Sequence, residues 1–226
     1  GLSRGKIALI LDDAGYQNDL LKSFTAFAGK LTIAVLPALP GSAEAARIIA
    51  AAGKETMLHL PMQPRREENP GPQAILTSMD DQTVIRLTKQ HIDSLPGLKG
   101  VNNHMGSLVT EDPRIMSLVL GVIRERGLFF IDSRTTASSE GPRLATRMGI
   151  PCRERSVFLD NVQDRQSIRG YFETGKRIAA KQGWALMIGH VWCAELAEIL
   201  PRLYEEAQAQ GYEFLFVSEL LGKSVK

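Results

Sequence analysis

An α/β architecture, an irregular (β/α) barrel of seven to eight strands, is what this 226-residue chain points to. Short apolar runs alternate with longer amphipathic ones from end to end, the pattern of βα units around a parallel sheet. Several short runs, such as Ile7-Ala8-Leu9-Ile10-Leu11 and Leu128-Phe129-Phe130-Ile131, are apolar without alternation, as expected of strands covered on both faces. About eight units in this length approach the roughly 250 residues of a typical (β/α) barrel, so a trimmed or irregular barrel is expected, with a doubly wound open sheet as the alternative. No linker, fixed-period repeat or low-complexity segment divides the chain, and residues 1–226 read as one domain.

The expected strands are Lys6 to Leu11, Leu31 to Leu36, Glu55 to Leu60, Gly100 to Asn103, Leu128 to Ile131, Ser156 to Leu159, Trp184 to Ile188 and Phe214 to Val217. Helices start at recognisable caps: Ser42 before Ala43, Asp80 or Asp81 before Thr83 to Leu95, and Asp112-Pro113 before Arg114 to Arg126. Asp164 to Gln182 reads as a helix closed by Gly183, and Ala194 to Gln210 as one interrupted at Pro201. Gln63 to Gln73, broken by Pro64, Pro70 and Pro72, reads as loop.

Composition excludes several functions. With 44% hydrophobic and 23% charged residues the chain can bury a sizeable core. The net charge is +2 and no basic run would track a phosphate backbone, so nucleic acid is not an expected partner. The longest apolar stretches, Ile7 to Leu11 and Leu118 to Ile123, fall far short of the roughly 20 residues of a membrane span, and the chain reads as soluble. No signal peptide is visible: either the native protein starts here or an upstream segment has been removed. Cys152 and Cys193 could form one bridge at most and read as two separate thiols.

In either architecture function gathers at the carboxyl ends of the strands. There the sequence places Asp12-Asp13, His59, His104, Asp132, Asp160 and His190. Singly, each has a bland explanation as a cap or a structural histidine. Together those explanations weaken, because three of the four histidines fall at one edge; the fourth, His91, reads as structural. Carboxylate plus imidazole suits zinc or another first-row divalent ion, and Asp13, His59 and His104 supply three ligands with a position left open. Asp12 is then a candidate general base, His190 a candidate acid across the barrel mouth, and Asp132 is placed to hold a histidine or bind substrate.

The strings Ile10-Leu11-Asp12-Asp13-Ala14-Gly15, His59-Leu60-Pro61-Met62, Gly100-Val101-Asn102-Asn103-His104-Met105-Gly106-Ser107 and Ile188-Gly189-His190 resemble the divergent polysaccharide deacetylase family. That family is a branch of the metal-dependent carbohydrate de-N-acetylases and esterases, with an irregular (β/α) barrel, and the resemblance runs from about Lys6 to Gly222. It implies Asp12 as base, Asp13 as metal ligand, Asp132 in the fourth motif region and His190 as acid. Two departures stand out. Where the group has a second histidine four residues after the first, Gln63 follows His59, leaving His104 as the natural substitute; the arginine that assists the base has no clear equivalent. The resemblance implies a zinc-dependent deacetylase acting on N- or O-acetyl groups of an envelope polysaccharide. Its alternative is a catalytically silent module of the cell envelope that binds glycan or a protein partner; a hydrolase of another substrate class, such as a phosphoester, has the same ligands. Periplasmic location follows from the family's association with the envelope.

Overall fold

The structure is a computed structural model and describes residues 3–16 and 19–222. Its strands are β1 (Gly5–Ala14), β2 (Thr32–Val35), β3 (Glu55–Met62), β4 (Gly100–Met105), β5 (Phe129–Asp132), β6 (Cys152–Glu154), β7 (Val157–Phe158), β8 (Trp184–His190) and β9 (Tyr212–Leu215). The helices are α1 (Asp19–Ala26), α2 (Ser42–Ala51), α3 (Asp81–Asp93), α4 (Pro113–Glu125), α5 (Gly141–Arg147), α6 (Arg165–Gln182), α7 (Ala194–Ala209) and α8 (Val217–Leu220). All nine strands form one parallel sheet in the order β6-β5-β4-β3-β2-β1-β8-β7. The ninth strand lies against the first half of β1, pairing Gly5 with Tyr212 and Ala8 with Leu215, while β2 takes the second half of the same edge.

The sheet curls until its two ends meet in one extended segment. β6 pairs with β5, and two residues later β7 pairs with β8. Between them the Arg155 N–H donates to the Asp132 carbonyl and the Ser156 N–H to the Leu186 carbonyl. A single stretch of chain thus forms the seam, and the open-sheet alternative does not hold.

Alternation along the strands sorts side chains into two cores. Ala8, Ile10, Ala34, Met57, Phe129, Ile131, Leu186 and Ile188 fill the interior with Val217, while Leu9, Leu11, Ile33, Leu58, Leu60, Phe130 and Met187 face the helices. At the amino end of the strands, α8 plugs the barrel: buried Glu55 Oε1 accepts from Thr32 Oγ1 at 2.9 Å and from the Ser218 N–H at 3.1 Å. The carboxyl end is left to polar residues.

Several expected boundaries change. Val217 belongs to α8, so the last strand is Tyr212–Leu215, set by its pairing with β1. β6, α1, α5 and α8 are too short to show a period. Ser42 lies inside α2 and donates to the Leu36 carbonyl rather than capping. The expected break at Pro201 is absent. There α7 continues because Leu196, Leu200, Leu203, Tyr204 and Ala207 are all buried on one face, offsetting the hydrogen bond that proline removes. Asp80, Asp112 and Asp164 do cap α3, α4 and α6, and Gly183 closes α6 at φ 91°.

Candidate metal centre

The site begins with an irregularity in β1. Leu11 pairs with Ile33 and Ala14 with Val35, so three residues advance against two, and Asp13 sits at φ 68°. Such a bulge re-aims side chains, and aspartate is among the few non-glycine residues that tolerate positive φ. Regular alternation would send Asp12 inward and Asp13 out to the helices. Here Asp12 follows Ala8 and Ile10 into the barrel, and Asp13 turns to the same mouth.

Three donor atoms converge there. Asp13 Oδ1 lies 3.2 Å from His59 Nε2 and 3.2 Å from His104 Nδ1, and the two ring nitrogens are 3.0 Å apart. His59 comes from the middle of β3 and His104 from the end of β4, one strand over. Asn102 completes the set. Its Oδ1 faces His59 Nδ1 at 2.8 Å and its Nδ2 donates to Asp12 Oδ1 at 2.8 Å. Because Oδ1 only accepts, the His59 proton belongs on Nδ1, and Nε2 presents a lone pair to the centre. Asp13 Oδ1 is itself buried without a hydrogen-bond partner. A buried orphan oxygen meeting two ring nitrogens is a donor set that fits a divalent cation, with Asn102 the outer support expected of a ligating histidine.

Electrostatics follow from this crowding. Burial would raise the Asp13 carboxyl, but His104 and His59 hold it far below the ordinary range. The Asp12 carboxyl is pushed up by burial, only partly offset by the neighbouring His59 and His190. Burial would lower His59, but Asp12 and Asp13 reverse that and raise it.

His190 stands beside Asp12, not across the mouth as expected, because β8 is the direct neighbour of β1 and the two residues share a register position. Asp160 grips it twice: Oδ1 meets His190 Nδ1 at 2.8 Å and Oδ2 accepts the His190 N–H at 2.7 Å. Burial would lower His190, but the Asp160 hydrogen bond and charge, with Asp12 and Asp13 behind them, raise it to about 9. Its ring is stacked between Phe158 and Trp192, at centroid distances of 5.9 Å and 4.8 Å.

Other expected residues lie elsewhere. Asp132 does not hold a histidine: it is the outward position of β5, where Oδ1 accepts the Arg134 N–H at 2.7 Å and Oδ2 stands against Gly141. The histidine-holding role falls to Asn102 and Asp160. Gln63 is turned away, its Oε1 accepting from the Thr77 N–H and hydroxyl, and the contact to Asp12 expected from an arginine comes from Asn102. His91 is structural, with Nε2 2.8 Å from the Gln73 carbonyl, and both cysteines are free. Asn102 and Trp192 carry no role in the sequence reading, and Asp160 stands there at the strand edge without one; Asn102 lies two residues before His104, which in a strand means the same face. A cleft of about 410 Å³ lined by Arg65, Arg66, Met105, Ser107, Glu111 and Thr135 opens past the end of β4.

Solved structures share the fold: a curled parallel barrel like those of a CE4 family pseudoenzyme and a peptidoglycan N-acetylglucosamine deacetylase. The divergent polysaccharide deacetylase model matches residues 9–221, and the chain belongs to that family. YibQ of Escherichia coli (strain K12) is 31% identical over 186 residues, covering 82% of this chain, which spans 58% of that relative's length. ATU2773 of Agrobacterium tumefaciens C58 superposes with a TM-score of 0.91 at 22% identity, covering 97% of this chain and 90% of the other. The CE4 pseudoenzyme BA3943 of Bacillus anthracis gives 0.57 at 12% identity, covering 97% and 66%. The catalytic domain of a peptidoglycan N-acetylglucosamine deacetylase from Eubacterium rectale gives 0.56 at 12%, covering 94% and 88%. At these identities the structural neighbours speak for fold alone. Among the described residues no helix is long and apolar enough to cross a membrane.

Proposed function

We propose that this protein is a zinc-dependent carbohydrate deacetylase that hydrolyses N- or O-acetyl groups on an envelope polysaccharide, in the periplasm or cell envelope. Family membership supports the reaction class. The observation that carries the reading is the orphan Asp13 Oδ1 facing His59 Nε2 and His104 Nδ1, with Asp12 and His190 beside it. Asp13, His59 and His104 hold the cation, which when bound lowers the pKa of water and stabilises negative charge on the acetyl oxygen.

The chain's own groups move the protons. Asp12, steadied by Asn102 Nδ2, takes a proton from the attacking water. His190, kept protonated by Asp160, gives one to the leaving nitrogen or oxygen as the acyl bond breaks. Water and the amide become acetate and amine. The cycle leaves a proton on Asp12 and none on its register neighbour His190, so a single transfer between adjacent strands restores both.

A second reading has support of its own. Gln63 stands where the wider group has a ligating histidine, and a CE4 pseudoenzyme shares the fold, both compatible with a silent module that binds glycan or an envelope protein. Metal analysis and acetate release from acetylated oligosaccharides separate the two. The enzyme reading expects stoichiometric zinc and acetate release lost in Asp12→Ala. Bound metal without acetate release from any acetylated glycan, and glycan binding unchanged in Asp12→Ala, decides for the module.

A further inference from the structure

Trp192 is 42% exposed at the mouth, yet both its polar edge and its ring face are engaged. Its Nε1–H donates to Asp13 Oδ2 at 2.8 Å. Its face lies on the His190 imidazole, centroids 4.8 Å apart and planes 21° from parallel. The turn after β8 puts it there: the Val191 N–H donates to the Asp12 carbonyl, the Cys193 N–H donates to the His190 carbonyl, and both side chains are buried. The residue between those two anchors is thrown back over the site. Hydrophobic burial does not account for so exposed an indole, since a fully buried ring is where that driving force is collected.

We propose that Trp192 is a positioning residue that couples the metal centre to the proton donor. Its N–H occupies Asp13 Oδ2, so that Oδ1 alone is presented to His59 and His104. Its ring face keeps the His190 imidazole flat against Phe158, with Nδ1 on Asp160. The first of these effects rests on the metal-site reading given above. The two are separable by substitution, because Trp192→Phe keeps a ring and loses the N–H, whereas Trp192→Leu loses both.

The test is titration of the protein with Co2+, followed by visible absorption, in the parent, Trp192→Phe and Trp192→Leu. Thermal unfolding of the metal-free proteins and the His190 ring-proton NMR resonances are recorded alongside. Trp192→Phe is expected to bind Co2+ roughly 10- to 100-fold more weakly, the usual range for loss of a ligand's outer partner. It should show an altered visible band with an unchanged metal-free Tm. The His190 resonances should keep their ring-current shift in Trp192→Phe and lose it in Trp192→Leu. Parent-like Co2+ affinity and spectrum in Trp192→Phe, or unmoved His190 resonances in Trp192→Leu, would overturn the proposal. A parent that binds no Co2+ overturns the metal-site reading itself, which is a different result from a parent that binds and a variant that matches it.

Discussion

At the level of single residues, the site is a chain of hydrogen-bonding constraints ending in unsatisfied lone pairs. Asp12 is held by Asn102, Asn102 fixes the His59 proton, and His59 then turns a lone pair toward Asp13 and His104. Removing a donor should therefore cost metal, not fold: Asp13→Ala and His104→Ala are expected to lose stoichiometric zinc, while Gln63→Ala keeps it. Metal content of the purified variants checks this. Equal loss in Gln63→Ala would return that residue to the ligand set. The proton donor makes a separate prediction. His190 must be protonated to act, and its raised pKa sets the alkaline limb of acetate release at or below about 9, since a bound dication favours proton loss. Asp160→Asn removes the charge that raises it, so the limb should move toward neutral pH; a limb that stays in place would show that Asp160 is not what sustains the proton. Asp12 and Asp13, His59, His104 and His190 were legible as a set because they follow apolar runs. Asp132 meets the Arg134 N–H rather than a histidine, because the final residue of β5 points outward.

Secondary-structure elements bring each of these residues to the rim, and their ends are held by ordinary means. Asp112 Oδ1 accepts the Arg114 and Ile115 N–H groups at 2.9 and 3.1 Å, with Pro113 opening α4 behind β4. Asp112→Ala should destabilise the protein by about 1 kcal/mol, a Tm fall of roughly 2–4 °C at this chain length, with zinc content unchanged. Calorimetry would show it, and a larger loss would mean that Asp112 does more than cap. Helices with strong caps and a clear period, α3, α4 and α6, were readable in advance. The bulge at Asp13 was not, because a one-residue slip between β1 and β2 leaves no mark in composition.

For the molecule as a whole, closure and charge are decided together. The seam hangs on Arg155, whose Nε donates to the Ser133 carbonyl at 2.8 Å and whose guanidinium sits 3.9 Å from the Phe158 ring. Arg155→Leu should cost about 1–3 kcal/mol and speed amide exchange at residues 155 and 156, leaving the β1–β8 ladder protected. Uniform loss of protection would show that the seam is not a separate weak point. Global stability of the metal-free protein should also depend on pH through His190. With its folded pKa near 9 and an unfolded value near 6.5, its contribution is complete below about 6.5 and lost as pH rises through about 9. Urea unfolding across that window measures it, and a His190→Gln protein should show a flatter profile. The order of residues along the chain was enough to specify parallel βα units, their inner and outer apolar faces and the ionisable residues at one edge, because periodicity and capping are local physics. Which of those residues meet was settled by long-range strand order. Placing β8 against β1 brings Asp12 beside His190, the bulge turns Asp13 to face His59 and His104, and outward alternation turns Asp132 away from that mouth; these contacts exist only once strands far apart in sequence pair.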